Sequence, residues 1–427
     1  MKILVSTWGL PAKWRDSTYV LGELTQKSCT TLKLLHSKYD SVVVLTLDSV
    51  LDSGDKPGID SECTTCFYRN RQEFKQGSYT DLVEKVRETI SGTLKCMGID
   101  NAEVMVLPAV GSPSGNWKFN GDMKDYLSIG LIKLYGYIGK FSNIREIAID
   151  LTHGINFMPA LSFRMVQIIS QLSFLNNDEP HGVKFLAYNS DPSYDSRYPL
   201  NLKINEVYAE TVTSLEIPRS LPHNVFRKRE KIDIDTTDID GKFNSIIRPI
   251  ISSVFYPLPL ALSYLCDKQF SFDLRAMWEN NVTVGDNTVT RKLSLDPVAV
   301  QAIVLADILR AKVDQDHSVK NLKTINERIY RRISAVHHYL IGNELDKIGR
   351  IVDKFDGGLP ISLAKIMDSD DPNYPSRPMV EIKRPDKRIM IAHAGLQKEF
   401  ITLAADRTMM YSKFPVNLLS DAGLLLS

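Results

Sequence analysis

Two stretches of this sequence place polar side chains and a glycine directly behind an apolar run, which is what a ligand site at a strand end needs. The first is Asp150–Leu151–Thr152–His153–Gly154–Ile155–Asn156, behind Ile144–Ile149. Asp150, Thr152, His153 and Asn156 supply donors and acceptors. Gly154 lets backbone approach a ligand closely, and a helix starting beyond it would favour an anion. The second is Ser6–Thr7–Trp8–Gly9–Leu10–Pro11, with Trp14 close behind. Thr7 offers a hydroxyl, the backbone around Gly9 offers N–H groups, and Trp8 and Trp14 offer flat aromatic surface. That equipment suits phosphate and nucleobase. The plainer alternatives are a helix cap with a structural histidine for the first stretch, and a turn with partly buried tryptophans for the second.

Such residues work only if strands and helices present them at one edge. Lys2–Thr7, Ser41–Asp48, Ala102–Leu107, Ile144–Ile149 and Val183–Tyr188 read as strands. Val20–Tyr39, Tyr79–Met97, Gly121–Gly139 and Met158–Leu175 read as the helices between them. Short apolar runs alternating with helices predict a mostly parallel, doubly wound α/β sheet. In such sheets ligands bind beyond the carboxyl ends of strands, where strand order reverses. Arg227–Gly241 reads as a surface linker or short ribbon. From Phe243 onward the pattern becomes helical, over Phe243–Cys266, Pro297–Asp314, Lys320–Ile341, Leu345–Phe355 and Pro385–Ala405. Asp368–Pro378 is a loop on turn chemistry.

The chain has 427 residues, room for two or three domains. Lys and Arg total 52 against 51 Asp and Glu, so net charge offers no argument for bulk nucleic-acid or membrane binding. The most apolar stretch, Ile250–Cys266, contains Pro257 and Pro259 and falls short of the ~20 apolar residues that span a bilayer. Met1–Leu10 lacks the form of a secretory signal. The composition speaks against a disulfide scaffold. Cys63 and Cys66 have ligand-like spacing, but zinc needs four ligands and no second pair accompanies them. The expectation is a cytoplasmic protein with reduced thiols and no bound metal or other cofactor.

DLTHGIN behind a hydrophobic strand, with STWG near the N-terminus, resembles the CRISPR-associated DxTHG family of type III systems. The resemblance implies a Rossmann-like CARF domain over residues 1–205 and an all-α HEPN domain over 291–427; residues 206–290, which it does not cover, read as a linker or helical connector. It implies a sensor of cyclic oligoadenylate, most often cyclic tetra-adenylate, that switches on a ribonuclease. Thr7, Trp8, Gly9, Trp14, Asp150, Thr152, His153, Gly154 and Asn156 would form the ligand site. HEPN ribonucleases carry an arginine and a histidine separated by four to six residues. That spacing occurs as Arg332–His337 in RRISAVHH and as Arg388–His393 in RIMIAHAG. The second matches the AHAG-like context of the family, with Pro385 at a helix start, and is the expected catalytic pair. The family often has Asn after the arginine, where this chain has Ile389. The implied activity is metal-independent endonucleolytic cleavage of single-stranded RNA in antiviral defence, leaving 2′,3′-cyclic phosphates, by a homodimer or larger homo-oligomer without a membrane partner. Two rivals stand beside it. One is a CARF-linked transcription regulator reading DNA with Ile325–Val336. The other is a ring nuclease that degrades its own ligand with His153 or Thr152.

Overall fold

Lys2–Trp8 and Ser41–Leu47 are rich in Val, Ile and Leu, and both are buried along nearly their whole length. A strand buried on both faces needs helices on both sides, the usual condition of a parallel sheet. The computed structural model, which describes residues 1–54, 58–177, 181–192, 201–229, 234–353, 360–369 and 385–427, meets it. Eight strands form one sheet: β1 Lys2–Trp8, β2 Ser17–Leu21, β3 Leu24–Ser28, β4 Ser41–Leu47, β5 Ala102–Leu107, β6 Glu146–His153, β7 Val183–Ser190 and β8 Asn201–Val212. Their order is β3-β2-β8-β7-β6-β1-β4-β5. The five strands from β7 to β5 are parallel, while β8 runs antiparallel to β7 and β3 to β2. The chain leaves β1 toward β4 and β5, then returns to β6 on the other side. Strand order therefore reverses at β1, so the ends of β1 and β6 flank the crevice that such sheets use for ligands.

The described residues fall into two compact units. One comprises 1–213, 226–234 and 273–300; the other comprises 214–225, 235–272 and 301–427. The first is the mostly parallel α/β unit. The second is mainly helical, with Arg248–Phe255, Pro259–Cys266, Val319–Arg328, Ala335–Val352, Lys387–Ala392 and Pro415–Asp421. It also carries a small antiparallel sheet of Ile361–Ser362, Ile401–Leu403 and Met409–Tyr411. The expected connector 206–290 is divided between the units. Its last part, from residue 273, belongs to the α/β unit, as does Arg291 just beyond it, which forms a buried ion pair with Asp48, both without exposed side-chain surface. Tyr79 Oη donates to the same carboxylate at 3.0 Å, and Arg291 Nη1 donates to the Ala109 carbonyl at 2.6 Å.

Several expected elements differ. Val20–Tyr39 is not one helix. Leu21 and Leu24 close a hairpin around Gly22, whose φ of +61° suits the tight turn, and only Leu32–Leu35 is α-helical. Phe243–Cys266 is broken between Phe255 and Pro259, beside two prolines. Lys320–Ile341 is interrupted by a 3₁₀ turn at Tyr330–Arg332. Pro385–Ala405 is α-helical only over Lys387–Ala392, since Ala394 and Gly395 take left-handed backbone, and a 3₁₀ turn at Lys398–Phe400 and a strand follow. The proposed loop Asp368–Pro378 lies mostly outside the described residues. Among the described residues, no helix is long and apolar enough to cross a membrane.

The expectation of reduced thiols is overturned. Cys29 is bonded to Cys63 and Cys66 to Cys96, so the two cysteines with ligand-like spacing sit in different disulfides. Composition misses this because two bridges are few for the chain's length and their partners lie 34 and 30 residues apart. On a chain-entropy account, loops of that length are each worth about 3–4 kcal/mol. Cys266 is the free thiol, buried, with its pKa pushed up to about 12 by that burial. Alkylation of the unreduced protein should therefore modify only Cys266, and only after unfolding. Peptide mapping that finds Cys29 or Cys63 as free thiols would contradict the pairing.

Candidate functional site

β1 and β6 are parallel neighbours, and their register slips between Ser6 and Trp8. Ser6 faces Asp150, but Trp8 faces His153, so β6 carries one extra residue. Such a bulge re-aims side chains at a strand end. The strand thus runs through His153, and the helix Met158–Asn176 begins after Phe157.

Asp150 is fully buried. One carboxylate oxygen accepts from Ser6 Oγ at 3.0 Å and from Thr31 Oγ1 at 2.7 Å, and the other accepts from the Thr152 N–H at 3.1 Å. Thr7 Oγ1 donates to the Asp150 carbonyl at 3.0 Å. Thr152 Oγ1 accepts from the Ser190 N–H at 3.1 Å. The side chains of Asp150 and Thr7 therefore build the site from beneath. Trp8 is also fully buried, its indole N–H without a hydrogen-bond partner among the described residues. It meets Trp14 edge-on, with ring centroids 5.1 Å apart.

His153 is the centre of the rim. Its ring lies on Trp14 with centroids 4.2 Å apart, and the Tyr19 ring meets it edge-on. Nε2 accepts from the Thr31 N–H at 3.3 Å, which leaves the ring proton on Nδ1. Burial pushes the imidazole pKa down to about 4, against the opposing pull of the Asp150 carboxylate. Gly9 donates its N–H to the His153 carbonyl at 2.8 Å. A Cβ on Gly9 would lie 2.6 Å from Ile155 Cγ2, and one on Gly154 would lie 2.8 Å from Thr7 Oγ1 and 2.9 Å from Pro159 Cγ. Both glycines thus let the two loops touch. Asn156 is exposed with φ of +51°, beside exposed Ile155. What faces outward is Gly154, Ile155, Asn156 and the His153–Trp14 stack, a surface with backbone donors and flat rings.

Sequence reasoning missed Thr31, Tyr19 and Ser190. Tyr19 and Thr31 lay inside the segment read as a helix. The strand-forming run Ser17–Leu21 followed by Gly22 was the available signal. The Trp14 loop is held by the helix Glu62–Asn70. Its cap, Ser61, donates to the Trp14 carbonyl at 2.6 Å, and Thr64 donates to the Ala12 carbonyl at 3.1 Å.

In the helical unit, Arg388 and His393 sit at opposite ends of the helix Lys387–Ala392, and both are exposed. Asp386 caps the helix by accepting from the N–H groups of Arg388 and Ile389. His393 Nδ1 lies 3.2 Å from Glu344 Oε2. Arg332 lies in the 3₁₀ turn, and its carbonyl accepts from the Leu215 N–H. His337 is less exposed, its Nδ1 is buried without a hydrogen-bond partner among the described residues, and burial lowers its pKa. Ile325–Val336, the stretch that a DNA reader would need as one helix, is split by the same turn.

A mostly parallel α/β unit whose strand order reverses at β1, with a mainly helical unit that carries an exposed Arg–His helix, makes this a two-unit α/β-plus-helical protein. Residues 3–192 match the family model described as "CRISPR system endoribonuclease Csx1, CARF domain", and residues 334–413 match the one described as "CRISPR system endoribonuclease Csx1, HEPN domain". A curated relative, the CRISPR system endoribonuclease Csx1 of Methanocaldococcus jannaschii, is 29% identical over 199 residues. The alignment covers 45% of this chain and 37% of that relative's length. The chain belongs to the CRISPR-associated CARF–HEPN family typified by Csx1. Arg388 and His393 fall within the matched HEPN stretch, whereas Arg332 lies outside it.

The pKa of His153 makes stability depend on pH. An unfolded imidazole takes a proton near pH 6.5, while the folded one resists until about 4. The unfolded state therefore binds more protons between those values. The contribution is complete above about pH 6.5 and is lost as pH falls toward 4. Thermal melting of the wild type should drop across that window by more than that of His153→Gln. Parallel curves for the two proteins would show that His153 stays solvated.

Proposed function

We propose that this protein is a single-stranded RNA endonuclease of CRISPR type III defence, activated by cyclic oligoadenylate and independent of metal ions. The observation that carries the reading is the exposed Arg388–His393 helix within the matched HEPN stretch. Helix geometry spaces the two positions by about 7.5 Å along the axis, a distance that the long arginine side chain can close onto one phosphate.

RNA brings its own nucleophile, held beside the phosphorus by the ribose; that proximity contributes several kcal/mol. The 2′-oxygen bonds to phosphorus and the bond to the 5′-oxygen breaks, leaving a 2′,3′-cyclic phosphate and a 5′-hydroxyl. Arg388 neutralises the pentacoordinate phosphorane through its fork of donors. His393 moves the proton. Activation begins at the rim formed by Gly9, Trp14, Thr152, His153, Gly154 and Asn156. There, backbone donors suit phosphates and the ring stack suits adenine. Cyclic tetra-adenylate, the expected activator, has near two-fold symmetry. It fits a homodimer in which each chain gives half a site.

Incubation of labelled RNA with the protein and cyclic tetra-adenylate tests the reading. His393→Ala should lower the cleavage rate by about 10²–10⁴-fold with activator binding retained, and His337→Ala should cost under about tenfold. The reverse ranking moves the catalytic pair to Arg332–His337. EDTA should leave the rate nearly unchanged, and a 2′-deoxy residue at the scissile position should block cutting there. Inhibition by EDTA relieved by Mg²⁺, with cleavage of the deoxy substrate, would mean a metal nuclease. At the sensor, Gly154→Val should abolish cyclic tetra-adenylate binding by calorimetry, and unchanged binding would place the ligand elsewhere.

A further inference from the structure

Glu344 lies on the helix Ala335–Val352, 49 residues from His393 in sequence, with a side chain only 12% exposed. Its two oxygens have separate partners. Oε1 takes Lys347 Nζ at 2.6 Å, and Oε2 faces His393 Nδ1 at 3.2 Å. The histidine backbone is fixed independently. His393 donates its N–H to the Ile389 carbonyl at 3.0 Å, and Gly395 donates to Met390 at 2.7 Å across a left-handed pair, Ala394 at φ +50° and Gly395 at φ +69°. Tyr411 Oη donates to the Gly395 carbonyl at 2.9 Å. A Cβ on Gly395 would lie 2.8 Å from Leu258 Cδ2, so glycine is what lets this turn pack down.

With the backbone held, the remaining freedom of His393 is the rotation of its ring and the choice of protonated nitrogen. A carboxylate accepts hydrogen bonds and cannot donate them, so at Nδ1 it selects the ring carrying its proton on that atom. Nε2 is then the basic nitrogen and points away from Glu344. We propose that Glu344 is a positioning residue for RNA cleavage: it fixes the Nδ1–H tautomer and the ring plane of His393, and so assigns proton transfer to Nε2. The proposal rests on His393 being the proton-transfer residue. In the step, Nε2 takes the proton of the 2′-hydroxyl as the 2′-oxygen bonds to phosphorus. The 5′-oxygen takes a proton from water as its bond to phosphorus breaks, and the hydroxide formed discharges the imidazolium. Orienters of this kind change turnover more than binding, because the ring they hold matters most in the transition state.

The test uses the full chain with cyclic tetra-adenylate, and nitrogen-15 spectra of labelled histidines at about pH 8.5, where an ordinary imidazole is neutral. The His393 signals are assigned by their loss in His393→Ala. Wild type should show His393 as the Nδ1–H tautomer. Glu344→Gln, whose amide can donate to Nδ1, should mix the tautomers and lower kcat by about 10–10²-fold with KM unchanged. Glu344→Asp should recover part of that loss. An Nε2–H tautomer in the wild type would overturn the proposal without any variant. So would an unchanged kcat in Glu344→Gln alongside an inactive His393→Ala, or a lowered melting temperature with the tautomer untouched. A fully active His393→Ala would instead sink the catalytic assignment beneath it.

Discussion

A single buried carboxylate organises the edge of the α/β unit at which strand order reverses. Asp150 gathers Ser6 from β1, Thr31 from the turn after β3, and Thr152 from its own strand. Hydrogen bonds to a charged group are worth about 1.5–3 kcal/mol each, and leaving such a group unpaired costs more than any one of them yields. Those contacts belong together, because loss of one donor strains the others. The same turn presents the Thr31 N–H to His153, so the group that satisfies Asp150 also sets the protonation of the rim. Scaffold and candidate ligand surface are thus one network. The Cys29–Cys63 bridge begins two residues before Thr31 and ends on the helix whose cap holds the Trp14 loop. It ties together the two walls that flank the His153 ring.

The helical unit solves the opposite problem. Arg388 and His393, the candidate catalytic side chains, stand exposed on a short helix. A helix of one and a half turns has little stability of its own. Here it is supported at both ends, by the Asp386 cap at its start and by the Tyr411-anchored turn at its finish. Between those ends only Met390 is buried, and Lys387, Arg388 and Ile389 are exposed.

Much of this was legible in the sequence. The five parallel strands announced themselves as apolar runs, since burial on both faces removes alternation and leaves a continuous signal. The DLTHGIN and STWG segments stood at strand ends where chemistry concentrates. The roles within those segments were less legible. Trp8, Thr7 and Asp150 looked like ligand contacts and face the protein interior, because residue type does not tell which side of a strand end is covered. The β2–β3 hairpin was hidden by leucines at helical spacing, a local pattern overridden by pairing with β8, which lies far along the chain. Glu344 had no signal at all, since its meaning depends on a partner 49 residues away. The disulfides escaped for the same reason.

The interleaving of the two units has a consequence for synthesis. Domains generally fold as they leave the ribosome, N-terminal first. The α/β unit cannot finish that way, because Arg291 must arrive before the buried carboxylate of Asp48 has its counter-charge. By then residues 214–225 and 235–272, which belong to the helical unit, have already emerged. For that interval the nascent chain holds an aspartate with hydrogen bonds from Tyr79 and Ala109 but no cation beside it. A chain that stops before residue 273 would therefore lack the closing segment of one unit and the largest segment of the other.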